Sequence, residues 1–380
     1  MSEEKLVPKL RFSGFDDEWQ SCRFDELFDF QVAGDMKKEL FNEEFIDEYK
    51  YPLYANALEN EGLLGYYKEY KYNPNSITVT ARGNIGHATA RKNKFNAVGR
   101  LIILTPKEDL NIEFFTEYIN NNVKIYIEST GVPQLTAPSL KINKLHYPTL
   151  NEQNKISNLL IMLNNKIELL GQKHQLYQYF KKYLMQQIFT QKLRFDFKEE
   201  WNQYKLKELL TVKSSGISIN QMEENSGEYP LYGASGFIKN IDFCEMESDY
   251  ISIVKDGSGV GNLSYHEKNS SIVNTSQYLL PKKNFDIHFL YYQLQTLNLL
   301  KYVNGSSIPH IYFKDYCIEK VVVPSLPEQQ KIGKLFVDTD KTLENIKNSI
   351  HSTQEFKKGL LQQMFVVQLI LSLLQNKKHI

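Results

Sequence analysis

Hydrophobic positions along this chain follow two kinds of pattern, and each kind is used twice. Ile156, Leu159 or Leu160, Leu163, Ile167, Leu170, His174, Tyr177, Phe180, Leu184 and Ile188 recur at three-four spacing, the signature of a helix packed along one seam. Ile332, Leu335, Thr339, Leu343, Ile346, Ile350, Thr353, Phe356, Leu360 and Met364 keep the matching register. At roughly 38 residues each, such helices would be about 57 Å long. The polar seam positions His174, Thr339 and Thr353 are expected to fix register rather than to bind a ligand. Ahead of each helix the period changes to that of strands. Ser76-Ile77-Thr78-Val79-Thr80 and Tyr250-Ile251-Ser252-Ile253-Val254 are β-branched or aromatic and run into glycine loops at 81–87 and 255–262, so each predicts a strand and a turn. His146-Tyr147-Pro148 and Val321-Val322-Val323-Pro324 are read as last strands, stopped by a residue that lacks an N–H and fixes φ.

The two patterns are copies of each other. Lys9-Leu10-Arg11-Phe12 with Trp19 recurs as Lys192-Leu193-Arg194-Phe195 with Trp201, and Tyr51-Pro52-Leu53-Tyr54 as Tyr229-Pro230-Leu231-Tyr232. Pro133, Pro148, Leu150, Glu152, Gln153, Lys155 and Ile156 match Pro309, Pro324, Leu326, Glu328, Gln329, Lys331 and Ile332 without a gap. Phe180-Lys181-Lys182 returns at the same offset as Phe356-Lys357-Lys358. An internal repeat of this kind decides the architecture. The expected fold is α+β: two similar mixed α/β domains separated by two long antiparallel helices that form a coiled coil with pseudo-two-fold symmetry. The expected boundaries are 1–150 for the first domain, 151–190 for the first helix, 191–326 for the second domain, 327–366 for the second helix and 367–380 for an atypical tail. Lys9 to Trp19 should pack near the end of the second helix. The tail, Val366 to Ile380, has no counterpart in the first half; it could prolong the helix, cover an apolar edge or be an altered terminus.

Charge adds little, because 45 Lys and Arg balance 45 Asp and Glu; any attraction to nucleic acid must be local. Arg82, Arg91, Lys92, Lys94, Arg100 and Lys107 form a basic stretch with no acidic residue among them. Cys22, Cys244 and Cys317 are too few and too distant for a disulfide framework or metal cluster, which points to a reducing cytoplasm. No apolar run is long enough for a signal peptide or membrane span. The glycine loops precede strands rather than the helix that a nucleotide-binding turn requires, so hairpin turns are expected. Motifs for ATP binding, metalloprotease zinc, a nucleophile elbow and an adenine methyltransferase are all missing. No catalytic and no metal residue is therefore assigned.

With these junction motifs in hand, Pro8-Lys9-Leu10-Arg11-Phe12, Pro324 to Ile332 and Phe356 to Phe365 together with their first-half counterparts, the sequence resembles specificity subunits of type I restriction-modification systems over nearly its whole length. The resemblance implies two target-recognition domains that each read one half of a split double-stranded DNA sequence, with the helices as spacer. It implies as partners two methyltransferase subunits that use S-adenosylmethionine and two restriction subunits driven by ATP and Mg. No cofactor is expected on this chain.

Recognition loops need donors and acceptors for base edges and cations for phosphates. On that ground the DNA-binding candidates are Arg82, Asn84, His87, Arg91, Lys92, Lys94, Ser129, Thr130 and Gln134 in the first domain. In the second they are Lys255, Ser258, Asn262, His266, Lys268, Ser306, Ser307, His310 and Tyr312. The competing reading is a non-catalytic scaffold with two protein-binding domains on a coiled coil; a self-sufficient DNA-modifying enzyme is disfavoured by the missing motifs.

Overall fold

The computed structural model describes residues 4–123, 133–222, 224–365 and 367–371. The chain divides into two compact units, one of residues 1–169 and 350–380, the other of 170–349. In the first unit, strands β1 (Ser76–Val79) and β2 (Ala88–Arg91) form an antiparallel hairpin. They complete a four-stranded sheet with Ile102–Pro106 and Phe28–Val32. A second four-stranded sheet contains Tyr51–Tyr54. In the second unit, β3 (Tyr250–Val254) and β4 (Leu263–His266) form the equivalent hairpin in a four-stranded sheet with Ser276–Pro281 and Leu210–Ser214. Tyr229–Gly233 lies in the accompanying smaller sheet. Both glycine loops are thus hairpin turns.

Helix α1 (Ile112–Asn122) packs on the first hairpin, and α3 (Ile287–Gln295) on the second. The long helices are α2 (Leu150–Phe189) and α4 (Leu326–Met364). The start of α2 and the end of α4 share the first unit's core, where Ile156, Leu160 and Leu163 join Leu360, Leu361 and Met364. In the second unit the end of α2 meets the start of α4, with Phe189 stacked on Phe336 at 5.9 Å. Each unit therefore contains an antiparallel helix pair as part of its core. Of the polar seam residues, Thr339 and Thr353 are buried, and Thr339 returns its hydroxyl to Leu335 O on its own helix at 2.8 Å.

The repeated junction residues explain themselves in the contacts. Gln153 accepts from Asn111 N at 3.0 Å and donates to Pro148 O; Gln329 accepts from Asp286 N at 2.8 Å and donates to Pro324 O. Asn111 and Asp286 are themselves the N-caps of α1 and α3, bonding Phe114 N and Phe289 N, so one amide ties each domain helix to its long helix. Glu152 and Glu328 are buried and take both guanidinium arms of Arg11 and Arg194. That bidentate pairing fastens the Lys-Leu-Arg-Phe segment to the long helix that starts in its own unit. Leu10 N bonds Gln363 O at 3.0 Å, placing the opening segment beside the end of α4 as expected.

One expectation is corrected. Phe180 and Phe356 do not lie in the seam: they are 48% and 58% exposed. Their neighbours Lys181 and Lys357 turn inward instead, because each faces a carboxylate, Asp340 at 2.6 Å and Glu117 at 2.9 Å. A lysine stem packs as well as it pairs, and the adjacent phenylalanine is left to solvent. Of the three alternatives open for the tail, its described part decides against a longer α4: Val367–Leu371 is a strand paired antiparallel with Glu4–Pro8 in the first unit. The three cysteines are free and half-buried.

Candidate nucleic-acid interface

The β1–β2 turn is tied by its own backbone. Thr80 N bonds His87 O at 2.9 Å and Gly86 N bonds Thr80 O at 2.8 Å, while the Thr80 hydroxyl accepts from His87 N. Gly83 and Gly86 sit at φ +68° and +87°, where a side chain would be strained. The β3–β4 turn repeats these bonds, Val254 N to Asn262 O at 2.9 Å and Gly261 N to Val254 O at 2.8 Å. Rigid turns leave the intervening side chains free to project, and Arg82, Asn84 and His87 are exposed, as are Ser258 and Asn262. Partial desolvation of the ring and the neighbouring Arg91 charge hold the His87 imidazole below its ordinary value.

A second segment borders each turn. Leu135 N bonds Ala81 O at 2.9 Å, which brings Gln134 beside Arg82, its amide oxygen 3.5 Å from the guanidinium. In the second unit Ile311 N bonds Lys255 O and Gly257 N bonds Pro309 O, both at 2.8 Å. His310 is thereby placed where Gln134 stands in the first. Asn304 and His310 exchange backbone bonds and close the turn that carries the exposed Ser306 and Ser307. The Tyr312 ring lies 5.1 Å from His310, and Lys255 is ion-paired with Asp256. The structure thus gathers Arg82, Asn84, His87 and Gln134 at one loop end, and Lys255, Ser258, Asn262, Ser306, Ser307, His310 and Tyr312 at the equivalent one.

The remaining candidates lie elsewhere. Lys92 and Lys94 follow the far end of β2, where Lys92 pairs with Glu113 and Lys94 lies 4.2 Å from the Tyr70 ring. Lys268 follows the far end of β4. Arg91 and His266 occupy one structural position and are buried. Arg91 bonds the Thr78 hydroxyl at 2.9 Å and stacks 3.5 Å over Tyr54; His266 bonds the Ser252 hydroxyl at 2.9 Å and lies 4.4 Å from Tyr232. Each links the two sheets of its unit and is buried there. Burial depresses the proton affinity of both, His266 to about 4. Ser129 and Thr130 lie outside the described residues.

One residue escaped the sequence reading. Asn56 accepts from Ala81 N at 2.7 Å and from Arg82 N, and donates to Gly99 O, bracing the first turn. In the second unit the corresponding amides of Lys255 and Asp256 go to the carbonyl of Thr275. A side chain in one copy replaces backbone in the other, so the repeat could not point to it.

Among the described residues no group of three His, Cys, Asp or Glu could hold a metal ion, and no helix is long and apolar enough to cross a membrane. The sequence model of the type I restriction modification DNA specificity domain matches residues 16–176 and again 198–352. A putative type I specificity subunit of Mycoplasma genitalium is 25% identical over 383 residues, covering 95% of this chain and 97% of its own. One of Mycoplasma pneumoniae is 25% identical over 332 residues, covering 82% and 88%. The crystal structure of a type I S subunit from M. genitalium superposes with a TM-score of 0.72 at 22% identity, over 95% of this chain and 99% of that one, and so shares the fold. The matched regions span both units and the greater part of both long helices, and the chain accordingly belongs to the family of type I restriction-modification specificity subunits, non-catalytic proteins of DNA recognition.

Proposed function

We propose that each unit reads one half of a split double-stranded DNA target with the loop end of its four-stranded sheet. The observation that supports this most is the duplication itself: two copies of the specificity domain present polar side chains, exposed or half-buried, at matching places. Asn84 matches Ser258, His87 matches Asn262 and Gln134 matches His310. These groups can both donate and accept, as base edges require. Arg82 and Lys255 supply positive charge near the phosphates. Arg91 and His266 are assigned to sheet packing, and Lys92, Lys94 and Lys268 stand apart from the reading loops.

Cleavage and adenine methylation then belong to partner subunits. Two methyltransferase subunits carrying S-adenosylmethionine and two ATP- and Mg-dependent restriction subunits would assemble on this chain, in the cytoplasm. Exchange of residues 81–87 for a different loop, followed by genome-wide mapping of methylated sites with the methyltransferase partner present, tests the reading. One half-site should change and the other stay as it was. Alteration of both, or of neither in an active complex, would overturn it.

A further inference from the structure

We propose that the second unit carries a binding pocket for an organic cation, a guanidinium or primary ammonium group, between α3, β4 and the first half of α4. The repeat serves as an internal control. Residues that build the fold are shared by both units, as with the Phe114 and Phe289 rings, the Gln153 and Gln329 amides and the Glu152 and Glu328 carboxylates. The surface where α3 meets β4 is not shared.

In the first unit the equivalent positions hold Ala90, Glu113 and Thr116, and Lys92 is ion-paired with Glu113. In the second unit the same positions hold Tyr265, His288 and Tyr291, and Lys92 is replaced by Glu267. The built-in cation has gone, a carboxylate stands in its place, and the wall has become aromatic. What results is a cavity of about 520 Å³. Tyr265 lies 4.6 Å from His288 and 6.3 Å from Tyr291, and Tyr291 lies 5.1 Å from Tyr292.

Aromatic faces with carboxylates at the rim attract a desolvated organic cation through the ring quadrupole and direct charge together. Tyr265 is held in place by its hydroxyl, which donates to Asp249 at 2.7 Å. Asp340 also lines the cavity but is already engaged by Lys181 and Tyr292. Of the other lining charges, Glu344 pairs with Lys347 at 3.7 Å, which leaves Glu267 as the carboxylate open to a ligand, with Lys341 on the facing helix. A small hydrated metal ion would leave the aromatic wall unused. A flat guanidinium or an alkylammonium fills both requirements.

Isothermal titration calorimetry of the full chain with spermidine and, separately, with a blocked Gly-Arg-Gly peptide tests this. At least one probe should bind saturably, one per chain. Glu267→Lys, an exposed position that recreates the tethered lysine of the first unit, should weaken binding tenfold or more. Tyr291→Leu, which keeps apolar bulk but removes the ring, should weaken it at least fivefold. Lys92→Glu in the first unit should leave it unchanged. Circular dichroism confirms that each variant is folded. Binding of the peptide alone would identify the source as an arginine of a protein partner; spermidine alone would identify a free polyamine. No saturable binding of either probe at millimolar concentration, or equal binding by wild type and Glu267→Lys, would overturn the proposal.

Discussion

Lys181 and Asp340 meet at 2.6 Å in the second unit, and the equivalent lysine of the first unit, Lys357, finds its carboxylate on a different element. In the second unit the acid belongs to the long helix α4, and the domain helix α3 offers Tyr292, whose hydroxyl also donates to Asp340 at 2.7 Å. In the first unit the acid is Glu117 on the domain helix α1, and the long helix α2 offers Asn164, whose amide donates to Glu117 at 3.2 Å. The carboxylate has changed sides while the count has stayed at one per lysine. That is the outcome expected where an ammonium with less than a fifth of its side chain exposed must be neutralised but a second acid would repel the first.

The position of the acid should therefore be exchangeable. Glu117→Gln should lower the stability of the first unit by about 1–2 kcal/mol, because Lys357 keeps a hydrogen bond but loses its counter-charge. Adding Asn164→Asp, which copies the arrangement of the second unit, should restore more than half of that loss. The chain has two tryptophans, Trp19 in the first core and Trp201 in the second. Urea unfolding followed by Trp19 fluorescence in a Trp201→Phe background reads the first unit alone. A double variant no more stable than Glu117→Gln would show that the pair is incidental.

The buried acids at the helix starts should be less forgiving. Glu328 is fully buried, and Arg194 supplies both of its guanidinium bonds through Nε and Nη2, the Nη2 also donating to Glu199 O. Arg194→Met should cost about 2–3 kcal/mol, since the carboxylate loses its partner while remaining away from water. Its position in the first turn of α4 offsets part of the charge. Urea unfolding followed by Trp201 fluorescence measures this. A loss below about 0.5 kcal/mol would mean that the helix end and solvent suffice to hold the charge.

Such contacts show why part of the architecture could be read in advance. Pro148, Glu152, Gln153 and their second-half copies make the same bonds to equivalent partners, so both halves retained the same residues and the repeat was visible. Seam periodicity pointed to the two long helices. It misplaced Phe180 and Phe356, because hydropathy alone cannot register an inward carboxylate on another element. The two hairpin turns were located by strand-glycine-strand order, yet Arg91 and His266 were grouped with them although they point into the sheet packing. One position along a strand separates an outward from an inward side chain, and both residue types are as suited to a buried hydrogen bond as to a base. Asn56 gave no signal because its partners are backbone groups distant in sequence.

Burial of His266 links the second unit to pH. Its folded proton affinity is lowered to about 4 by burial, against an ordinary value of 6.5. The unfolded chain therefore takes up the proton first on acidification. The stability that depends on a neutral imidazole is complete above about pH 6.5 and falls as the pH drops from there toward 4. At pH 5 the loss should be about 2 kcal/mol relative to pH 8. His266→Gln, which can still bond Ser252, should flatten this part of the profile. Unfolding followed by Trp201 fluorescence across pH 5–8 checks both statements, and an unchanged slope in the variant would assign the titration to another group.

The matching positions of Gln134 and His310 yield the sharpest expectation about DNA. Both stand on the segment that borders the hairpin turn, fixed there by Leu135 N to Ala81 O and Ile311 N to Lys255 O. Both carry a donor and an acceptor, the equipment for reading a base edge rather than a phosphate. Alanine at either position should therefore relax base preference instead of weakening all binding alike. A lost base contact costs about 1–3 kcal/mol of discrimination, or roughly 5- to 150-fold. Gln134→Ala should broaden one half-site and His310→Ala the other, and neither should alter the salt dependence of binding by the assembled methyltransferase. Arg82→Ala should instead reduce that salt slope by about 1 while leaving the methylated sequence unchanged. Arg91→Ala should do neither and should lower the stability of the first unit, because its guanidinium stacks on Tyr54 in the interior. Methylation mapping and fluorescence anisotropy over a range of salt concentrations separate these outcomes. If Gln134→Ala and His310→Ala acted on the same half-site, or if Arg91→Ala changed the sequence read at constant stability, the loop ends assigned here would not be the reading surface.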